Sequence, residues 1–156
     1  MHDLPRKLTA DELALLFEGR TRFVARLARR ENPLTEAGAL LRGLPEDERL
    51  EALNAHPPIG ARGLSAASAR EQGGDEDPAV LEELARLNRA YEEKFGFRFV
   101  VFVNRRPKAK ILSVLQQRLT RAREEELDTA LDELVAIAED RYRQHVAAAG
   151  PAHQET

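Results

Sequence analysis

The chain of 156 residues contains no cysteine, no tryptophan and a single methionine. Without cysteine, neither a disulfide bridge nor a thiolate metal site can form, which fits a reducing compartment such as the cytoplasm. A chain of this length buries roughly 70% of the surface that its unfolded form exposes. A hydrophobic core is therefore sufficient, and we expect one domain without a structural metal.

Long apolar runs are also missing. No stretch approaches the roughly 18 residues of a membrane span, and the N-terminal residues show no sign of a secretory signal. The chain has 24 basic and 27 acidic residues and a net charge of −3, whereas a nucleic-acid-binding protein usually has a basic excess. We expect a cytoplasmic protein that binds neither nucleic acid nor a membrane.

The spacing of the apolar residues predicts helices along most of the chain. Thr9 and Glu12 fit a capping box at the start of the first helix. Another helix is predicted over residues 66–72, ending at two glycines. We predict an all-α fold, a single-domain compact bundle of about seven to nine helices over residues 1–156, with a frayed tail after about residue 149.

One segment breaks the helical period. Residues 97–103, FRFVVFV, are aromatic or β-branched except for one arginine, a composition typical of extended chain. No second segment of this kind is evident to pair with it. Its backbone groups must therefore find partners other than a neighbouring strand.

The sequence HPPIG, residues 56–60, places a histidine at the predicted end of a helix, before two prolines and a glycine. The prolines fix φ at two successive positions and make the backbone after His56 rigid. The macrodipole at a helix C-terminus favours the imidazolium form of histidine. A histidine that only caps the helix before a proline stop is the commoner case, so the motif alone leaves both interpretations open.

Ser68, Glu71 and Gln72 are spaced so that they share one helical face. A solvated face is the simpler interpretation of this group, but a carboxylate there would also favour a charged His56. Arg141 lies at the edge of an apolar arc on the last helix, which is predicted over about residues 123–146. Its stem either snorkels from that arc or holds the guanidinium at a pocket wall, where a carboxylate would suit it.

Together these residues supply a histidine, a carboxylate, an amide, a hydroxyl and an arginine. The sequence has no dinucleotide-binding, P-loop, nucleophile-elbow or HExxH motif. A cofactor-free acid/base enzyme that acts on a small anion is the interpretation left open.

Four ordered stretches resemble one family, the 2-oxo-4-hydroxy-4-carboxy-5-ureidoimidazoline (OHCU) decarboxylases of urate breakdown. HPPIG is similar to the family's His-Pro motif, and LSAASAREQGG to its Ser-x-x-Glu-Gln motif. LNRAYEEKFGFRFVVFVN is similar to its asparagine-tyrosine-FGFPF segment, the most specific match. RLTRAREEELDTALDELVAIAEDRY resembles its closing helix, with an arginine at the matching place.

The resemblance implies an all-α homodimer, without metal or organic cofactor, that decarboxylates OHCU to (S)-allantoin. It implies that His56 is the catalytic acid/base with Glu71 as its carboxylate partner. The implied substrate-binding residues are Pro57, Ser68, Gln72 and Arg141 and the backbone at Phe99, Val100 and Val101.

The sequence departs from the family pattern at three positions. Pro58 stands where an aspartate or arginine is expected, Arg98 replaces the proline of FGFPF, and Asp75 replaces an apolar residue. These departures leave open a paralogous lyase or hydrolase for another small ureido anion. A non-catalytic helical interaction module is a further alternative, supported by the basic run over residues 105–110, although we interpret that run as a solvated loop and helix start.

Overall fold

The structure, a computed structural model, describes residues 8–56 and 78–149, with side chains as far as residue 144. In these ranges the chain forms helices and no strand, which confirms the predicted all-α class. The predicted helix over residues 66–72 lies outside the described residues. The helices, numbered along the chain, are α1 Ala10–Phe17, α2 Arg22–Leu27, α3 Pro33–Gly43, α4 Glu46–Asn54, α5 Pro78–Phe95, α6 Lys108–Arg118 and α7 Arg123–Ala149.

The first helix begins at the predicted capping box. The Thr9 backbone N–H donates to Glu12 Oε1 at 2.8 Å, and the Glu12 backbone N–H donates to Thr9 Oγ1 at 3.1 Å. These two bonds satisfy N–H groups that an α-helix leaves without partners at its start. Local sequence therefore determines where α1 begins.

The 27-residue helix α7 is the central element of the bundle. It packs against α1, α3 and α4, while α2 packs against α1, α3 and α4 from another side and α5 pairs with α6. The predicted apolar arc of α7 is buried, and consists of Leu127, Leu131, Leu134 and Ala138. No helix in the described ranges is long and apolar enough to cross a bilayer.

The segment over residues 98–103 is neither helix nor strand, so the predicted break in helical structure is confirmed. The side chains of Phe99, Val100, Val101 and Val103 are buried in the core. An irregular segment at this depth has no ladder of backbone hydrogen bonds, and its peptide groups need side-chain partners.

Charged side chains supply those partners. Arg118 Nη1 donates to the Val100 carbonyl at 2.9 Å, and the Phe102 N–H donates to Glu133 Oε1 at 2.7 Å. The Arg106 guanidinium donates to the Phe102 carbonyl at 2.6 Å. Three side chains thus take the place of a neighbouring strand at Val100 and Phe102.

The basic run begins with a tight turn and continues into α6, as predicted. Asn104 and Arg105 both have positive φ, 50° and 64°. Arg105 and Lys110 are exposed, but Lys108 is buried. The expectation of a solvated run is therefore wrong for Lys108, which lies in the first turn of α6 and faces the bundle.

Glu126 on α7 is fully buried. Its carboxylate balances the charge of Arg118, the residue that binds the irregular segment. Its Oε1 accepts from Arg118 Nε at 2.8 Å and from the Tyr91 hydroxyl at 2.5 Å. Its Oε2 accepts from Arg121 Nη1 at 2.9 Å. Arg118 also lies 4.7 Å from the centroid of the Phe99 ring, which adds a cation–π contact.

Replacing Glu126 by alanine is expected to lower the free energy of unfolding by about 3–5 kcal/mol, because the buried Arg118 guanidinium loses its counter-charge. Urea denaturation measures the change. Glu124→Ala removes an exposed carboxylate from the same helix and should change stability by less than about 0.5 kcal/mol. Equal effects of the two substitutions would contradict a supporting role for Glu126.

Candidate active site

His56 lies just beyond the C-terminal end of α4. Its backbone N–H donates to the Leu53 carbonyl at 3.2 Å, which extends the helical turn by one bond. His56 is 5% exposed, and its Nε2 atom is buried without a hydrogen-bond partner among the residues that the structure describes. A buried polar atom without a partner is uncommon in a folded protein and marks a position where a ligand group is expected to bind.

Burial lowers the pKa of His56 to about 4 from an ordinary value of 6.5. The positive charges of Arg141 and Arg98 lower this pKa further, whereas the Glu18 carboxylate raises it. His56 is therefore neutral at pH 7. The bias of a helix C-terminus toward imidazolium does not decide the charge state here, because desolvation and the neighbouring guanidinium groups favour the neutral form.

Arg141 extends from α7 to the C-terminal end of α1. Its Nη1 donates to the Leu16 carbonyl at 3.1 Å, and its Nη2 donates to Glu18 Oε2 at 2.9 Å. The Arg141 side chain is 5% exposed. The guanidinium is thus buried and held in one position, so its stem does not snorkel to solvent. A cation at this position also suits the negative end of the α1 dipole.

Glu18 is a site residue that sequence reasoning missed. It caps α1 with a positive φ of 68°, a conformation usually taken by glycine, and its side chain is 13% exposed. A non-glycine residue in this conformation is costly and often marks a functional site. Nothing in the sequence distinguishes Glu18 from an ordinary surface glutamate, because its partner is more than a hundred residues away.

The structure brings His56 and Arg141 together: both side chains are buried, and the Arg141 guanidinium is close enough to lower the pKa of the His56 imidazole. The remaining predicted side chains lie outside the described residues. They are Pro57, Ser68, Glu71 and Gln72. Their roles remain predictions.

The backbone at Phe99, Val100 and Val101 is described, and its three side chains are buried. The Val100 carbonyl is occupied by Arg118. Among the bonds of residues 8–56 and 78–149, none uses the peptide groups of Phe99 or Val101. The prediction that this backbone binds a substrate ring therefore concerns the N–H and C=O groups of Phe99 and Val101 and the N–H of Val100.

In the part of the chain with described side chains, no group of three histidine or acidic residues lies close enough to hold a metal ion. The polar groups that converge are instead an imidazole, a guanidinium and a carboxylate. Groups of these kinds suit proton transfer and the binding of an anion, the chemistry of an acid/base enzyme for a small anionic molecule.

Comparison with known proteins identifies the family. The sequence pattern of OHCU decarboxylase matches residues 2–143. The chain belongs to the OHCU decarboxylase family, whose members are carboxy-lyases, and the predicted family and enzyme class are confirmed.

Individual relatives agree with this assignment. The chain is 33% identical over 129 residues to the 2-oxo-4-hydroxy-4-carboxy-5-ureidoimidazoline decarboxylase of Haloferax volcanii, covering 75% of this chain and 77% of the relative. It is 32% identical to the protein of the same name from Halalkalicoccus jeotgali, covering 60% and 56%. It is also 32% identical to the uric acid degradation bifunctional protein PucL of Bacillus subtilis, covering 64% of this chain and 21% of that protein.

Solved structures share the fold. A crystal structure of OHCU decarboxylase in the presence of (S)-allantoin superposes with a TM-score of 0.73 at 24% identity, over 87% of this chain and 98% of that one. A crystal structure of (S)-allantoin synthase gives a TM-score of 0.63 at 25% identity, over 85% of this chain and 48% of that one. The likeness supports the helical architecture.

The lowered pKa of His56 has a consequence for stability. Between pH 6.5 and about 4 the unfolded chain binds a proton at His56 that the folded chain does not. Stability is therefore fully present above pH 6.5 and falls as the pH decreases through this window, by up to ~3 kcal/mol. The free energy of unfolding, measured by urea denaturation at pH 7 and pH 4.5, should fall more steeply for wild type than for His56→Asn. Parallel curves would show that His56 keeps an ordinary pKa.

Proposed function

We propose that this chain decarboxylates OHCU to (S)-allantoin in urate breakdown, without a cofactor, using His56 as acid/base and Arg141 as the carboxylate-binding residue. The observation that carries the proposal is the buried, neutral His56, whose Nε2 has no partner in residues 8–56 and 78–144, beside the buried Arg141 guanidinium. Membership of the family supports the reaction, and the geometry of His56 and Arg141 supports the assignment of these two residues to it.

A neutral imidazole is ready to accept a proton. In the proposed reaction Nε2 of His56 takes the proton of the ring hydroxyl and later returns a proton to the product. Its low pKa keeps it in the base form throughout the physiological pH range. Positioned acid/base groups of this kind contribute on the order of 10²–10⁴-fold to the rate.

Arg141 supplies fixed positive charge for the substrate carboxylate. Its bonds to Glu18 and to the Leu16 carbonyl hold the guanidinium before any substrate arrives. A charge that is already oriented in a dry site needs no reorganisation and interacts more strongly than in water. The planar fork of arginine also matches a carboxylate in a way that a lysine ammonium does not.

The chemistry requires no cofactor. When CO₂ leaves, the electron pair of the broken C–C bond stays on the ring carbon, and the adjacent C=N unit of the substrate can accept it. The enzyme has to align the carboxylate, move the hydroxyl proton and deliver a proton to one face of the ring. Delivery from one side gives a single enantiomer of allantoin.

The residues outside the described ranges complete the proposal. Glu71 is assigned as the carboxylate partner of His56, and Ser68 and Gln72 as donors and acceptors for the substrate's polar groups. Pro57 is assigned to the pocket wall. The peptide groups of Phe99 and Val101 and the N–H of Val100 are assigned to the substrate ring, because these residues are buried in the core and these groups make no bond within the described ranges.

The proposal includes the assembly that the resemblance implies and the location expected from the composition. We assign residues 1–156 to one domain, working as a homodimer in the cytoplasm. Sedimentation of the purified chain at micromolar concentration distinguishes a dimer from a monomer.

The reaction is tested with OHCU generated freshly from urate by upstream enzymes and followed by circular dichroism and NMR. Wild type should form (S)-allantoin faster than the spontaneous reaction, and His56→Asn should lose on the order of 10²-fold or more in kcat. Asparagine keeps a polar side chain at the position, so circular dichroism of the protein controls for folding. Racemic allantoin at the spontaneous rate from folded wild type would contradict the proposal and point to another ureido anion or to no catalysis.

Arg141→Lys tests the carboxylate role. Lysine keeps the charge but loses the planar fork, so KM is expected to rise by roughly 10–100-fold, since a hydrogen bond to a charged group contributes about 1.5–3 kcal/mol. Steady-state kinetics measure this change, and thermal unfolding reports separately on the lost contact with α1. Arg143→Lys alters an exposed arginine on the same helix and should leave KM unchanged. An unchanged KM in folded Arg141→Lys would exclude the role.

A further inference from the structure

We propose that Arg98 is a positioning residue for His56, which fixes the backbone on which the imidazole is mounted by binding the carbonyl groups at the end of α4. The inference rests on the proposed function for His56. It concerns the position where this sequence departs from the FGFPF motif by replacing proline with arginine.

The geometry consists of converging bonds between the irregular segment and the end of α4. Arg98 Nη1 donates to the His56 carbonyl at 2.5 Å and to the Asn54 carbonyl at 3.3 Å. The Arg98 backbone N–H donates to Asn54 Oδ1 at 2.9 Å. One residue thus binds the helix end through both its main chain and its side chain.

The guanidinium is itself held in place. Arg98 Nε donates to Glu92 Oε2 on α5 at 3.2 Å, and the Arg98 side chain is 27% exposed. Glu92 therefore fixes one edge of the guanidinium while Nη1 is directed to the carbonyls of α4. A fork with several fixed donors can make these contacts at once, whereas a lysine ammonium on a flexible stem cannot reproduce their geometry.

The end of α4 requires such a partner. The last carbonyl groups of a helix have no partners within it, and the last turn of α4 contains no basic residue. Arg98 supplies the missing donors and a positive charge at the negative end of the helix dipole. A proline at position 98 has neither the side-chain donors nor a backbone N–H, so it could make none of the bonds that the arginine makes.

The consequence falls on His56 because Arg98 binds its own carbonyl. A small rotation of that peptide group would swing the imidazole, and misplacing a catalytic group by about 1 Å can cost on the order of 10²-fold in rate. Three charged groups act on the imidazole: Arg141 from α7, Glu18 from the end of α1 and Arg98 from the irregular segment. Removing Arg98 therefore also raises the pKa of His56.

Arg98→Met removes the donors and the charge but keeps an unbranched side chain of similar length. We expect kcat to fall on the order of tenfold, with little change in KM, because the proposed function assigns the substrate carboxylate to Arg141 and not to Arg98. The His56 C2–H resonance, assigned by its loss in His56→Asn, should titrate at a higher pH than in wild type. Arg98→Lys keeps the charge and should give an intermediate kcat with a His56 pKa close to that of wild type.

Arg86→Met is the matched control, since it removes an arginine whose pair with Glu83 lies on the surface of α5, and it should change neither kcat nor the titration. Unchanged kcat and an unchanged His56 titration in folded Arg98→Met would overturn the proposal. If Arg98→Met does not fold, a wild-type kcat in Arg98→Lys overturns it instead. The NMR titration needs no turnover, so failure of the wild type to convert OHCU would refute the proposed function without deciding the contact of Arg98 with His56.

Discussion

The bundle depends on burying a segment that is neither helix nor strand. A peptide group without a partner costs free energy in a protein core, and residues 98–103 have no ladder to supply partners. Side-chain charges take that place: Arg118 binds the Val100 carbonyl, and Glu133 binds the Phe102 N–H. The buried Glu126 carboxylate then balances the charge of the Arg118 guanidinium. Each of these two charges would be costly in the core without the other.

The same irregular segment connects the core to the candidate site. It lies between the charge network of α7 and the end of α4, and its first residue, Arg98, binds the backbone of His56. On the opposite side, Arg141 fixes α7 to the end of α1 through Glu18. The guanidinium groups of Arg98 and Arg141 therefore bind carbonyl groups at the ends of α4 and α1, and His56 lies between the two arginines. A site built in this way is rigid because the contacts that shape it also hold the helices together.

Features that depend on a few neighbouring residues could be predicted from the sequence, whereas contacts between residues that are distant in the sequence could not. The capping box at Thr9 and the buried arc of α7 follow from spacing of a few residues, and both were predicted. Arg141 was found because it stands at the edge of that arc. Glu18 and the contacts of Arg98 were missed, since their partners are distant in sequence and no periodicity links them. The low pKa of His56 could not be predicted for the same reason, because burial and two remote guanidinium groups determine it.

The positive charges around His56 favour the binding of an anion but oppose the protonation of the imidazole. Arg141 and Arg98 favour an anionic substrate but lower the affinity of the imidazole for a proton. A substrate carboxylate brought against Arg141 adds a negative charge beside His56 and acts in the same direction as Glu18, which raises its pKa. In the proposed reaction the imidazole therefore becomes a better base when the anion is in place. CO₂ departs as a neutral molecule and leaves its electron pair in the ring, so a ring carbon becomes the base that accepts the proton. The low pKa that the two guanidinium groups help to give His56 favours release of the proton to that carbon. The same two positive charges that favour an anion in the site thus help the imidazole to return its proton.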